Sequence, residues 1–559
     1  MNLKFSLRLE DAQVSSEYAD ILTRAFARKL RDRGCGLAPD GYPIRIVRDS
    51  GCAQGAYRLL IGEARAELAA SDPCAYFAGL GEFLLGWRFP KGGDPVIPAR
   101  TFAFQPQNAY RGLYFATHFY NFYHTAPLDQ VTWQVEDVAF RGGNAIAVWY
   151  DMHHFSSFDE PESRQMVERL KAILRHAVRI GMKTCLTMLS NEAFMGTPDA
   201  LKASSAPQNG YHAVLDGHYG VEICPSKPHG IEEIIRQRRI VLRGFADMRP
   251  DYIVYWPYDQ GGCTCKDCAP WGTNGFLRLL PHFENVVHEE MPGTKLIVST
   301  WNFDLFIDGE WARFHTLAEN GCVAGAEYLM DFFYHSGVPT CILEKGLPGG
   351  KKMLSFPEIS MYGGKPWGGF GANPLPAFLQ KTNDMGENIY SGESCYSEGI
   401  FEDINKTIML LSCSGREKDT RRAIADYASW EYMTDDAADI IRLAEMTEQT
   451  LPRNQVFGPD EVRFEIKTPD QVKPAAELAR RIDAAMPEPA RSGWRWRILY
   501  LRALIDEQLM KDGWRVTKDC DGYLRELEQY YYIVPQSRAV VSPPTTDVVK
   551  NKWLKNTLI

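Results

Sequence analysis

Acidic side chains recur at one kind of place in this sequence, in or just beyond short apolar runs. Asp151 closes NAIAVWYD and Asp259 closes YIVYWPYD. Glu327 lies in AGAEYLM, Glu358 in KKMLSFPEIS, and Glu393 and Glu398 in and after NIYSGES. Cleavage of a glycosidic bond needs such a set. One carboxyl protonates the leaving oxygen, while another attacks, activates water or orients a substrate group. Asp259 is the first choice for one role, because a Gly-Gly turn follows it and lets backbone and substrate approach closely. Glu358 is the first choice for the other, because an unpaired charge in its apolar surroundings is costly and favours a raised pKa. Glu393 and Glu398 are the further candidate catalytic acids. Arg111 offers a fork for hydroxyls or a carboxylate. Tyr258, Trp301 and Trp367 offer rings for a sugar face, and His118, Asp151 and Glu327 complete the expected substrate-binding set.

These residues have to be brought together by their elements. Eight short apolar runs, 111–117, 144–151, 183–190, 252–259, 295–303, 324–330, 351–360 and 388–394, alternate with segments of helical apolar period. That order predicts a (β/α)8 TIM barrel over 106–415, with the site at the C-terminal ends of its strands. Residues 1–105 read as a small N-terminal α/β domain, with strands in NLKFSLRLE, YPIRIVRD and AYRLLIGEA. Its helices are SSEYADILTRAFARKLRDRG, with a Ser cap, and DPCAYFAGLGEFLLGWRF. Residues 416–559 read as a C-terminal helical region ending in a Pro- and Lys-rich arm. No GxGxxG or GxxxxGK[ST] follows the first barrel strand, which argues against a nucleotide-binding open sheet.

Composition narrows the partners. The 559 residues carry a net charge of −9 and no basic stripe, which speaks against nucleic acid. No apolar run is long enough to span a bilayer, and the N-terminus lacks a signal-like h-region, so a cytoplasmic protein is expected. Aromatic residues make up 12% of the chain, a proportion suited to an oligosaccharide substrate. The aromatic C-terminal helices are a candidate homodimer surface. GGCTCKDCAPWG places Cys263, Cys265 and Cys268 together, and Cys224 lies upstream of the fourth barrel strand. Four such thiols suit a structural zinc, with local disulfides or free thiols as alternatives. No histidine-rich open site accompanies them, so no cofactor is expected for catalysis.

The helix AYFAGLGEFLL followed by YRGLYF, and then an acidic end to the fourth barrel strand, resembles the clan of family 20 β-N-acetylhexosaminidases and family 67 α-glucuronidases. YDQGGCTCKDC also resembles a set of bacterial barrel proteins with a Cys-rich loop after strand 4, some of them endo-β-N-acetylglucosaminidases. The resemblance implies a carbohydrate substrate, a β-linked N-acetylhexosamine cleaved from a chain end, with Arg111 as a sugar contact. In family 20 an adjacent Asp-Glu pair orients the acetamido group and supplies the acid. Here the pair reads Asp259-Gln260, and Gln cannot donate that proton, so the acid has to come from elsewhere, such as Glu358 or Glu398. An α-glucuronidase-type enzyme and a non-catalytic carbohydrate-binding barrel are the alternatives.

Overall fold

The computed structural model describes residues 3–90, 94–118, 121–208, 221–258, 262–333, 337–360, 371–457, 462–514 and 517–530. Asp259, Trp367 and the C-terminal arm lie outside them.

The N-terminal unit is a six-stranded sheet of β1 (Lys4–Glu10), β2 (Gly36–Leu37), β3 (Tyr42–Arg48), β4 (Tyr57–Ile61), β5 (Ala66–Ala70) and β6 (Arg100–Phe104), in the order β2-β1-β3-β5-β4-β6. Alternation of buried and exposed residues in β3 and β4 reflects one covered face. The run read as one strand, AYRLLIGEA, supplies β4 and the start of a hairpin into alanine-rich β5, whose composition carries little strand signal. The helix Ser16–Arg31 starts at Ser15, whose side chain accepts from the Tyr18 N–H. The helix Pro73–Leu85 is buried almost throughout, between this sheet and the barrel. Its Gly81 is the contact point, because a Cβ there would lie 1.9 Å from the Phe140 carbonyl oxygen. The glycine permits a backbone approach that no larger residue allows.

Eight parallel strands then close a barrel in chain order: β7 (Tyr110–Phe115), β8 (Ala145–Trp149), β9 (Lys183–Leu189), β10 (Tyr252–Trp256), β11 (Lys295–Ser299), β12 (Ala326–Asp331), β13 (Lys352–Ser355) and β14 (Tyr390–Ser397). The fold is an α/β (β/α)8 barrel. Alternate residues of each strand fill its interior. Tyr110, Tyr252 and Tyr328 close the N-terminal end, with ring centroids 5.4–6.2 Å apart. Tyr114, Trp256, Trp301, Phe356 and Tyr396 form a second aromatic layer near the C-terminal end. Centroid separations there run from 4.8 Å for Trp256–Phe356 to 6.1 Å for Phe356–Tyr396.

Beyond the barrel the described chain is mainly helical, including Thr420–Tyr432, Ala438–Gln449, Val472–Ala485 and Trp494–Lys511. A hairpin of β15 (Arg453–Phe457) and β16 (Val462–Ile466) interrupts the expected helical run. Buried charges join the three parts. Arg141 forks onto Asp403 with two 2.8 Å bonds, Arg495 reaches the same carboxylate at 2.8 Å, and Lys29 of the N-terminal unit meets Glu431 at 3.0 Å. Leaving any of these charges without its partner would be costly, so the network fixes the relative placement of the parts.

Candidate active site

The site follows from strand phase and polarity. In β14 the inward positions are Gly392, Ser394 and Tyr396, and the same phase carries on to Glu398, one residue past the strand. In β13 the inward phase runs through Leu354 and Phe356 to Glu358. A backbone bridge pairs Glu358 with Tyr396, so both carboxylates emerge side by side from adjoining strands at the C-terminal mouth.

Glu398 is buried and accepts hydrogen bonds from the Tyr396 hydroxyl at 3.0 Å and from Asn121 Nδ2 at 3.4 Å. Burial pushes its pKa up to about 8, and the negative charges of Glu402 and Glu358 add to that rise. Glu402 lies behind it, and its Oε1 accepts from the backbone N–H groups of Glu398 and Gly399, each at 2.8 Å. Glu398 therefore carries a proton at neutral pH, while Glu358, partly exposed, faces the same end of the barrel.

Histidine–carboxylate pairs complete the wall. His118 follows β7 and packs edge-on to Trp149, 4.9 Å between centroids. Burial pulls its pKa down to about 3 and that of His124 to about 4, so both rings are neutral. His154 Nδ1 lies 2.6 Å from Asp151 Oδ2. Burial alone would raise the Asp151 pKa, but His154, with His124 and His153, holds it below the ordinary value. Glu192 meets His153 Nδ1 at 2.7 Å and accepts from the Trp149 indole at 3.3 Å. Glu192 was not anticipated from the sequence. It lies just past β9, where the rule used for the other strand ends would have found it. Trp301 is half-buried in the aromatic layer, 5.6 Å from Trp256.

Thus Glu358, Glu398, His118, Asp151 and Trp301 gather at one end. Three expected site residues do not. Glu393 pairs in register with Arg111 near the start of its strand and points outward, where it bonds to Cys413 and Cys395. Arg111 donates to the Gly142 and Asn108 carbonyls at 2.7 and 2.6 Å. It lines a cavity of about 210 Å³ under the barrel with Asp72, Glu82 and Lys183. Glu327 is exposed near the start of β12 and pairs with Lys295 at 2.9 Å. All three belong to the N-terminal end, because parallel strands put their first residues there. Tyr258 is also corrected. It is buried, and its hydroxyl donates to Glu310 at 2.7 Å in the helical layer, away from the barrel axis. Asp259 and Trp367 fall outside the described residues.

The Sγ atoms of Cys224, Cys263, Cys265 and Cys268 lie within 4.8 Å of one another, in loops beside the mouth. No helix among the described residues is long and apolar enough to cross a membrane.

No family model and no curated protein matches this sequence. Solved structures do. A GH115 4-O-methyl-α-glucuronidase with specificity for decorated arabinogalactans is similar at a TM-score of 0.58 and 12% identity, over 94% of this chain and 76% of that one. A GH138 enzyme targeting pectin rhamnogalacturonan II is similar at 0.52 and 9%, over 94% and 73%. A GH20 exo-β-N-acetylglucosaminidase from Vibrio harveyi is similar at 0.51 and 10%, over 77% and 74%. At these identities the likeness is one of fold. The fold is thus one that this chain shares with solved glycoside hydrolases of families 115, 138 and 20.

Proposed function

We propose that the chain is a glycoside hydrolase that cleaves a terminal β-linked N-acetylhexosamine from oligosaccharides bound at the C-terminal mouth. The observation that carries this reading is the placement of buried Glu398 beside Glu358 on adjoining strand ends, next to an aromatic layer. Glu398 gives its proton to the glycosidic oxygen as the bond to the anomeric carbon breaks. Glu358 is placed to stabilise the positive charge developing on the sugar ring. Water replaces the departing alcohol, and its proton returns to Glu398. Trp301 supplies a face for the sugar ring. Asp259 keeps the role that the family 20 resemblance implies, orienting the acetamido group.

The sugar preference is supported by where Arg111 lies. A uronate pocket would have drawn on Arg111, which sits at the opposite end of the barrel with its donors on backbone carbonyls. That placement favours a neutral sugar over an α-glucuronidase reading, although a glucuronidase shares the fold over 94% of this chain. A purely binding barrel has no use for a buried acid that burial and two neighbouring carboxylates keep protonated.

No cofactor enters this chemistry, and the cysteine cluster is read as a structural zinc site. Thirteen cysteines, none in a disulfide, support a reducing compartment, consistent with a cytoplasmic enzyme. A panel of aryl glycosides tests the assignment on the wild type, Glu398→Gln and Glu358→Gln. Hydrolysis of the β-N-acetylhexosaminide and its loss in both variants is expected. Cleavage of only an α-glucuronide would transfer the assignment to that class, and unchanged rates in both variants would remove it.

A further inference from the structure

Cys224, Cys263, Cys265 and Cys268 take no part in the chemistry above, yet they are the tightest cluster of metal-ligating side chains among the described residues. Cys224 lies in the loop after β9 and the other three in the loop after β10. The Cys224 sulfur is 3.8 Å from that of Cys265 and 3.9 Å from that of Cys268. Bonded disulfide sulfurs are about 2.05 Å apart. Sulfurs that share a tetrahedral zinc at about 2.3 Å are about 3.8 Å from one another. The observed spacing therefore matches a shared ion and not a covalent pair.

The surroundings suit a concentrated negative charge. The Ser226 hydroxyl is 3.0 Å from the Cys268 sulfur, and Arg278 Nη1 donates to that hydroxyl at 3.0 Å. Backbone N–H groups of Ser226 and Cys265 bond to the sulfurs of Cys224 and Cys263. Such outer hydrogen bonds orient thiolate ligands and offset their charge. All four positions are filled by protein sulfur, which leaves none open for water or substrate and marks a structural centre.

We propose that these four thiolates hold one zinc ion that clamps the loops after β9 and β10 together at the wall of the barrel mouth. Asn191 shows what the clamp would stabilise. Its side chain exchanges two hydrogen bonds with Gly262, at 2.9 and 2.8 Å, and donates to the Ile223 carbonyl at 2.9 Å. Gly262 and Ile223 each precede a cysteine of the cluster. Glu192, the next residue after Asn191, holds His153 and the Trp149 indole. The ion thus braces the segment that positions one side of the carboxylate pocket, without touching substrate.

The test needs no substrate, so it stands or falls separately from the glycosidase assignment. Protein purified under reducing conditions from zinc-supplemented medium is analysed for metal and then titrated with an organomercurial in the presence of a metallochromic indicator. One zinc per chain, released as the thiols are blocked, is expected. Exchange with cobalt should produce thiolate-to-metal charge-transfer bands together with the visible bands of a tetrahedral ion. Cys265→Ser, at the most exposed of the four, should weaken zinc retention against a chelator. Metal-free protein that takes up neither zinc nor cobalt overturns the proposal, as does bound iron in place of zinc. If Cys265→Ser does not fold, the organomercurial release from wild-type protein decides alone.

Discussion

The Tyr396 hydroxyl donates a 3.0 Å hydrogen bond to Glu398, two residues further along the chain and just past the strand, while the Tyr396 backbone bridges to Glu358. One tyrosine thus links both carboxylates of the proposed pair. Its bond favours the ionised form of Glu398, yet burial and the charges of Glu402 and Glu358 outweigh it, and the group stays protonated up to about pH 8. Glu398→Gln should lower kcat by about 10²–10⁴-fold. The loss should be smallest on substrates whose leaving group needs no proton. Rates across a series of aryl leaving groups read this directly, and an equal loss for every leaving group contradicts an acid role.

Activity of the wild type should fall as pH rises through about 8, where Glu398 loses its proton. Glu402→Gln removes one of the charges that raise this value but keeps a carbonyl to accept from the backbone N–H groups. The alkaline limb of the kcat profile should move to lower pH in that variant. A limb that stays in place or moves upward would show that another group sets it.

Trp301 is the half-buried ring of the mouth layer, packed against Trp256 and Phe356. Removing it in Trp301→Ala should cost about 0.5–1.5 kcal/mol of binding, if stacking on a sugar resembles stacking on a ring. That corresponds to a rise in KM of about 2–12-fold with a smaller change in kcat. Steady-state kinetics and the affinity for the product sugar check it. A loss confined to thermal stability would make Trp301 a packing residue only.

Glu393 provides a control, because burial pushes its pKa up to about 8 but at the N-terminal end of the barrel. The folded protein holds this proton in a range where the unfolded chain has already released it. The stability that it contributes is present below the ordinary glutamate value near 4.5 and is lost as pH rises through about 8. Glu393→Gln should leave kcat unchanged and melt above the wild type at about pH 9, with little difference at about pH 4. Thermal melts at the two pH values, together with one activity measurement, separate it from Glu398.

Gly81→Ala places a methyl group where the Phe140 carbonyl oxygen now lies, 1.9 Å from the new Cβ. Backbone cannot swing aside as a long side chain can, so a loss of about 1–3 kcal/mol in stability is expected. Calorimetry should show it. A neutral outcome would mean that the N-terminal unit and the barrel separate more easily than their packing indicates.

Much of this architecture was legible because period and polarity are local properties. Eight apolar runs spaced by helical segments define a parallel barrel, and all eight strands lie where those runs predict them. The missed strands are those with weak local signal or mixed context, namely the two-residue β2, alanine-rich β5, β6 and the β15–β16 hairpin set among helices.

Within the site, strand polarity alone places Glu358 and Glu398 at one end and could have removed Arg111, which opens its run, whereas Glu327 and Glu393 lie inside the runs 324–330 and 388–394 and were removed only by the observed strand limits and register. Tyr258 needed more than polarity, since past the end of β10 the alternation lapses and only packing turns its hydroxyl toward Glu310.

By itself, the order of residues determined which groups exist, which strand each belongs to and which face of that strand each shares, because these follow from covalent spacing and backbone geometry. Tertiary structure alone decided which carboxylates meet and which of them keeps its proton. Proximity and burial depend on segments far apart in the chain. Asn121 reaches Glu398 across 277 positions, and the rise in the Glu398 pKa comes from dry surroundings assembled only when the barrel closes.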